Sequence, residues 1–231
     1  MQKTAEAEVY ACKFCNKDFK REKSLIVHLC EPKKRYNERT EKGVRYGFNT
    51  YLKFYEYSQG SAKLKSEEDF IKSSYYNAFV KFGRYCNDIN AINPAKFADF
   101  VIGSGKKLDH WAKDSTYAEY KLKLLHTEHS TDALSRGLRH GVNWAELTNN
   151  VYSDLLRKGG TNAICLAITK GELSAWVIYN CDSGQQFLNG LNEDQMAIIW
   201  DYIAPDYWQK KFNDYEEDQV YTKEMLTKAG W

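Results

Sequence analysis

The chain has 231 residues, of which 43% are hydrophobic and 28% are charged, with 33 Lys and Arg against 31 Asp and Glu. A chain of this length can bury one sizeable core and carry a small additional module. It contains no apolar run near the roughly 18 residues that cross a bilayer and no signal-peptide-like start, so we expect a soluble, intracellular protein.

Basic residues are concentrated toward the amino-terminal end. Residues 1–46 carry twelve Lys and Arg against seven Asp and Glu, whereas residues 47–231 carry twenty-one against twenty-four. Any anionic partner is therefore expected to bind the amino-terminal end. Three of the six cysteines also lie within the first thirty residues, which is typical of a metal cluster in a reducing compartment. The others, Cys86, Cys165 and Cys181, are expected to be buried thiols.

The first cysteines fall at the spacing of ligands in a small structural zinc site, and with one histidine they form a four-residue set: Cys12, Cys15, His28 and Cys30. The fourth ligand follows His28 by only two positions, where a helix would turn it to the opposite side. The helix must therefore unwind near Leu29, and Pro32 favours its ending there.

Three further positions match the small core of a two-cysteine two-histidine finger, namely Tyr10, Phe19 and Leu25. So short a segment cannot fold on apolar burial alone, so a metal ion must supply most of the folding free energy. The sequence predicts a ββα-type zinc finger over residues 1–33 with one zinc ion and a helix that begins near Lys20.

The finger is poorly suited to reading a base sequence. In the regular docking mode Arg21, Ser24 and Val27 would face the bases, and one finger covers only about three base pairs. We therefore expect the finger to contact nucleic-acid phosphates with weak sequence preference, and we expect the nucleic acid to be DNA rather than RNA. The basic residues expected to make these contacts are Lys20, Arg21, Lys23, Lys33, Lys34 and Arg35. The alternative is a protein-docking or purely structural finger.

Residues 34–60 are basic and then aromatic, and they form the predicted linker and first helix. Such a mixture can stack bases of a single strand. However, Phe48, Tyr51, Phe54 and Tyr55 also recur at helical spacing, which favours a helix that faces the core. A domain boundary is expected near Gly43 to Gly47.

Residues 61–231 are predicted to form one α-helical domain, so the fold class is mainly α, with a small zinc finger followed by a multi-helix domain. One helix should begin at Ser66 and continue through Cys86. Further helices are expected at 94–102, 115–126, 131–140, 143–158, 192–205 and 206–212. Residues 163–180 fit either a β-hairpin or two helices with Ser174 as a cap, and helical neighbours favour the second. Acidic residues from Asp206 to Asp218 are expected to be solvated surface.

Three patterns invite a chemical interpretation. A junction at Gly141 has the outline of a helix-turn-helix. His126, His129 and His140 raise the alternative of a divergent metal-dependent nuclease, but no carboxylate has the spacing of a hydrolytic signature. Residues 103–107 lack the spacing of a phosphate-binding loop. We therefore predict no enzymatic activity.

The stretch from Cys12 to Arg35, a Tyr-rich helical region and the segment from Gly171 to Ile178 together resemble a group of poorly characterised tailed-bacteriophage proteins. Those proteins couple one amino-terminal finger to an α-helical body. The resemblance implies a viral protein in the cytoplasm of an infected bacterium, acting in replication, transcription or genome handling. It implies no catalytic residue. We expect an auxiliary nucleic-acid-binding protein whose helical body docks phage or host proteins.

Overall fold

The computed structural model describes residues 9–60 and 64–231, and within them the chain is mainly helical with one small sheet. The expected fold class, a small finger followed by a helical body, is confirmed. The chain divides into two units, the first ending at Tyr117 and the second spanning Ala118–Trp231. Over these described ranges no helix is both long enough and apolar enough to cross a membrane.

The finger consists of two short strands and one helix. Strand β1 (Tyr10–Ala11) pairs antiparallel with β2 (Asp18–Phe19), and Tyr10 lies opposite Phe19. Helix α1 (Glu22–Val27) follows. It begins two residues later than expected and has no buried residue, which fits a module too small to form a core without help.

In the described part of the first unit the finger is followed by the helices α2 (Glu31–Glu38), α3 (Lys42–Gln59), α4 (Glu67–Lys72), α5 (Tyr76–Asp88) and α6 (Pro94–Gly103). The four aromatic residues whose spacing predicted a core-facing helix, Phe48, Tyr51, Phe54 and Tyr55, are buried or half-buried. Tyr51 is only 2% exposed. Its ring centroid lies 5.1 Å from that of Phe70 and 5.4 Å from that of Phe79.

Three glycines let α3 and α5 approach until their backbones touch. A Cβ atom on Gly83 would lie 2.0 Å from the Gly43 carbonyl oxygen and 2.4 Å from the Gly47 nitrogen. Gly43 and Gly47 are therefore packing positions inside α3, and the boundary expected there is wrong. Because this contact joins residues on both sides of position 61, the observed units also differ from the expected division into 1–33, 34–60 and 61–231.

The helix expected from Ser66 to Cys86 is interrupted. Ser66 does cap α4 through a capping box with Asp69, as predicted. The helix ends at Lys72 because Ser73 is extended (φ −62°, ψ 136°), and its hydroxyl accepts a hydrogen bond from the Tyr75 backbone N–H at 3.1 Å. A new helix, α5, then begins at Tyr76.

The second unit continues the helical body. Helix α7 (Asp114–Thr127) leads into it, and the helices that follow are α8 (Ser130–Thr148), α9 (Leu155–Lys158), α10 (Thr161–Lys170), α11 (Ala175–Ile178), α12 (Asp182–Asn189), α13 (Glu193–Ile203), α14 (Pro205–Asp214) and α15 (Glu216–Lys228). Single 3-10 turns occupy Leu108–His110 and Tyr152–Asp154.

Helix α8 runs straight through the junction that was predicted at Gly141. A Cβ atom on Gly141 would lie 2.8 Å from the Trp231 ring, so this glycine makes room for an aromatic side chain within a helix. The helix-turn-helix interpretation is therefore wrong, and so are the separate helices expected at 131–140 and 143–158.

Residues 163–180 form helices, as favoured from the sequence. Gly171 ends α10 with a φ of 76°, and the Ser174 hydroxyl caps α11 by accepting from the Trp176 N–H at 3.4 Å. The following residues Val177 and Ile178 are completely buried, which explains why the segment reads as uniformly apolar.

The acidic run near the carboxyl end begins a helix that the sequence reading missed. Glu216, Glu217 and Asp218 occupy the first turn of α15, where negative charge favours a helix. Asp218 accepts a hydrogen bond from the Ser130 hydroxyl at 3.2 Å, and Leu226 further along α15 is fully buried.

Candidate metal centre

A tight turn between the two strands positions the first two cysteines. The Asn16 N–H donates to the Cys12 carbonyl at 2.7 Å, and the Cys12 N–H donates to the Lys17 carbonyl at 2.9 Å. Asn16 has a φ of 55°, a conformation that asparagine tolerates better than most residues. The turn brings the Cys12 and Cys15 side chains to one side.

The other two ligand positions follow the end of α1. His28 already has an extended ψ of 121°, so the chain leaves the helix directly after Val27. Cys30, with φ −88° and ψ 161°, is the N-cap residue of α2. The predicted unwinding is thus observed, but Pro32 does not serve to end α1. It lies in the first turn of α2, where proline is tolerated.

The four side chains converge. The possible ligand atoms of Cys12, Cys15, His28 and Cys30 all lie within 4.8 Å of one another. The Sγ atoms of Cys12 and Cys30 are 3.9 Å apart, and the Cys15 Sγ lies 3.3 Å from the His28 Nε2. Two sulfurs bonded at about 2.3 Å to one tetrahedral ion lie about 3.8 Å apart, so the cluster could hold a metal ion.

Backbone groups also prepare the cluster for a cation. Hydrogen bonding from the Phe14 backbone N–H, with a smaller contribution from that of Cys15, lowers the pKa of Cys12 below its ordinary value. The Lys17 N–H acts in the same direction on Cys15, but burial and the neighbouring thiols outweigh it and raise the pKa of Cys15. A divalent cation bound here would offset the effect of the neighbouring thiols on Cys15, because a thiol that coordinates a metal ion loses its proton.

Comparison with known proteins identifies no relative of this chain. No protein-family model matches the chain, and no significant match was found among curated proteins or among solved structures.

The finger is supported by ring packing and by the following helix. The Phe19 ring centroid lies 4.7 Å from that of His28, which holds the imidazole against the small core. On the other side, Phe14 packs against Tyr36 of α2 with a centroid distance of 5.1 Å. This contact of Tyr36 could not be predicted from the sequence, because the path of the chain after Cys30, and not residue spacing, brings Tyr36 to Phe14.

The six basic residues expected to contact phosphate differ in their surroundings. Lys20, Arg21 and Lys23 are exposed at the start of α1. Lys34 is exposed, and its Nζ lies 4.0 Å from a Glu38 carboxylate oxygen.

Lys33 and Arg35, by contrast, bind protein carbonyls. The Lys33 Nζ donates to the His28 carbonyl at 2.9 Å, and the Arg35 Nη1 donates to the carbonyls of Ile71 at 2.9 Å and Ser73 at 3.2 Å. Their side chains therefore hold the chain around the finger in place.

The three histidines of the nuclease alternative are not brought together, since the only metal-type cluster found among the described residues is the one in the finger. The His126 Nε2 lies 3.1 Å from the Asp201 carbonyl, its ring stacks on Tyr207, and burial lowers its pKa. His129 is the N-cap residue of α8, and the His140 Nδ1 lies 3.4 Å from a Glu172 oxygen. The His126 and His140 side chains thus contact other groups of the chain, whereas the exposed His129 makes no side-chain cap hydrogen bond.

Proposed function

We propose that this chain is a non-enzymatic, zinc-stabilised auxiliary protein that binds nucleic acid through its amino-terminal finger. The observation that carries the proposal is the Cys12, Cys15, His28 and Cys30 cluster, together with the exposed Lys20, Arg21 and Lys23 at the start of α1. In this proposal the nucleic acid is DNA, bound with weak sequence preference.

Zinc is the ion that best suits the cluster. Three thiolates and one imidazole form a soft tetrahedral ligand set of the kind found in structural zinc sites. All four positions are filled by protein side chains, which leaves none open for water or substrate. Such a closed set supports a structural role for one zinc ion rather than a catalytic one.

Phosphate contact is the interaction that the exposed basic residues support. Lys20, Arg21 and Lys23 project from a rigid turn and helix, so their charges would be held in a fixed arrangement. At the base-reading positions Ser24 and Val27 offer little discrimination, and Val27 is 79% exposed. Binding would then depend on charge and decrease steeply with added salt.

A salt titration tests the proposal. Replacing Lys20, Arg21 and Lys23 together by Ala is expected to weaken binding to double-stranded DNA and to reduce the slope of log K against log salt by about 2 to 3. The matched control replaces Lys170, Lys210 and Lys223, three exposed lysines of the second unit, and should keep the wild-type slope. Equal binding by wild type and finger variant, or no binding by either, would rule the proposal out.

The same proposal includes the setting that the sequence resemblance implies. The protein would act in the cytoplasm of an infected bacterium, with the helical body docking phage or host proteins. Co-purification from infected cells, followed by identification of the bound partners, tests this part. Recovery of neither nucleic acid nor phage or host replication and transcription proteins would contradict it.

A second candidate function has its own supporting observation. Three apolar side chains at the end of the finger are solvent-exposed, Ile26 by 66%, Val27 by 79% and Leu29 by 61%. Such a patch is typical of protein contact surfaces, so the finger could be a docking module without a nucleic-acid role. This candidate predicts that Ile26→Ser with Leu29→Ser abolishes recovery of a protein partner, whereas the Lys20, Arg21 and Lys23 variant does not.

A further inference from the structure

A pocket of about 410 Å³ opens in the first unit, on the side of α3 that faces α2 and α4. It lies outside the finger, and its volume falls within the range of small-ligand sites. We call it the arginine pocket. The lining residues that characterise it are Arg35, Arg39, Arg45, Phe48, Phe70 and Tyr76.

The pocket has a cationic rim. Arg45 is exposed, and none of the described residues hydrogen bonds or pairs with its guanidinium. Arg39 donates one hydrogen bond from Nη1 to the Tyr36 carbonyl at 2.7 Å and stacks on that ring at 3.7 Å, which orients the guanidinium and leaves other N–H donors for a ligand. Glu67 is the single acidic residue of the lining, against three arginines. The rim therefore favours an anion.

The floor is apolar and aromatic. The half-buried Phe48 packs against the buried Phe70 with ring centroids 5.4 Å apart, and Val44 and Ile71 complete the surface around them. A flat ring placed in the pocket would meet the Phe48 side chain, and stacking of a base on an aromatic ring is a sequence-tolerant attraction.

Tyr76 also lines the pocket. The residue is 2% exposed, and its buried hydroxyl has no hydrogen-bond partner. Leaving such a group unpaired is costly, so buried polar atoms of this kind need an explanation. Burial raises the pKa of Tyr76 to about 12. The Arg35 guanidinium lies 4.5 Å from the centre of the ring and fixes its position.

We propose that the arginine pocket binds a nucleoside 5′-phosphate, with the phosphate on Arg39 and Arg45 and the base against Phe48. Guanidinium groups bind phosphate through paired N–H donors, and a phosphate has enough oxygens to accept from two arginines at once. Inorganic phosphate alone would leave the aromatic floor uncovered, and a nucleoside alone would leave the arginines unpaired. The ligand is either a free nucleotide or the 5′-phosphorylated end of a strand.

The inference does not depend on the finger. Lys20, Arg21 and Lys23 are not among the residues that line the pocket, so the two sites can be tested separately. If the finger fails to bind DNA, the pocket proposal still stands, and the reverse also holds.

Calorimetric titration of the full-length protein provides the test. The probes are adenosine 5′-monophosphate, adenosine, inorganic phosphate and a short oligonucleotide with either a 5′-phosphate or a 5′-hydroxyl. We expect the monophosphate to bind at least tenfold more tightly than adenosine or phosphate. Tighter binding of the 5′-phosphorylated strand than of the 5′-hydroxyl strand identifies a strand end as the ligand, and equal binding of the two strands identifies the free nucleotide.

Variants connect binding to the pocket. Arg45→Ala and Arg39→Ala should each weaken monophosphate binding about tenfold or more, and Arg45→Lys should weaken it less because the charge remains. Arg139→Ala, which changes an exposed arginine of α8 outside both proposed sites, is the matched control and should have no effect. Phe48→Leu, which keeps apolar volume, should weaken the monophosphate but not inorganic phosphate. The proposal fails if no probe binds, or if Arg39→Ala and Arg45→Ala bind the monophosphate as the wild type does.

Discussion

At the scale of single residues, the contact between α3 and α5 depends on what glycine lacks. The Gly83 Cα faces backbone atoms of Gly43 and Gly47, which cannot move away as the end of a flexible side chain could. An added methyl group must therefore separate the two helices. The cost extends to the aromatic side chains they share, such as Tyr51 and Phe79.

Gly83→Ala is expected to lower the free energy of unfolding by about 1 to 3 kcal/mol, the usual cost of overpacking a core. Urea unfolding followed by far-ultraviolet circular dichroism measures it. Gly103→Ala is the matched control, because a Cβ there meets nothing within 4 Å, and it should be neutral or stabilise by about 0.4 to 1 kcal/mol. Identical unfolding midpoints for the two variants would contradict the close-contact explanation.

The cysteines and glycines show what the sequence can and cannot predict at this scale. Cys12, Cys15, His28 and Cys30 were predictable because metal ligands have a characteristic spacing and chemistry. Gly43 was interpreted as part of a domain boundary and Gly141 as a junction between two helices. A glycine that ends a helix and a glycine that lets another part of the chain pack closely against a helix look alike in sequence. Only the partner distinguishes them, here α5 for Gly43 and Trp231 for Gly141.

At the scale of elements, the finger is the part that we expect to depend most on a bound ion. Its helix α1 has no buried residue, and its strands are two residues long, so little apolar burial holds it together. A metal ion held by the cluster would then supply most of the free energy that keeps these elements folded. The six tryptophans all lie at or after Trp111, so their fluorescence reports on the body and not on the finger.

Removal of the ion is expected to unfold the finger alone. Elemental analysis should find about one zinc per chain, and a strong chelator should remove it and open residues 13–29 to proteolysis while tryptophan emission stays unchanged. A Cys12→Ser, Cys15→Ser variant should behave like the chelated protein. Cys165→Ala, which changes a buried thiol of the second unit, should retain the ion. A metal-free protein whose finger resists protease would refute this dependence.

Helix starts were predicted better than helix ends. Ser66, Asn93 and Asn192 each cap a helix through a side chain that accepts a backbone N–H, a local interaction visible in the sequence. The break at Ser73 was missed, because polar residues on a helix surface look the same whether or not the helix continues. Helix α15 was missed because its acidic first turn resembles solvated surface.

At the scale of the whole molecule, the division at Tyr117 follows from packing that sequence spacing does not reveal. The second unit has a continuous buried core, whose members range from Ala133 to Trp231 and include Trp176, Trp208 and Leu226. A core contributed entirely by one stretch of chain is the usual requirement for independent folding. In the first unit, by contrast, the helices that follow the finger are held together mainly by the contact between α3 and α5.

A fragment that begins at Asp114, the first residue of α7, and ends at Trp231 is expected to fold alone. It should unfold in one cooperative transition, with the blue-shifted emission of buried Trp176 and Trp208. The matched control ends at Asp214 and lacks α15, so it loses Leu226 and the Trp231 contact with Gly141 and should not unfold cooperatively. A non-cooperative melt of the longer fragment would count against an autonomous second unit.

The backbone contact between α3 and α5 also limits how this lineage can diverge. Surface positions and even most core side chains can drift through compensating changes, but no second mutation restores space that a backbone carbonyl already fills. Distant descendants should thus keep two glycines one helical turn apart and a third in the next long helix. That trio can mark kinship after overall similarity has faded.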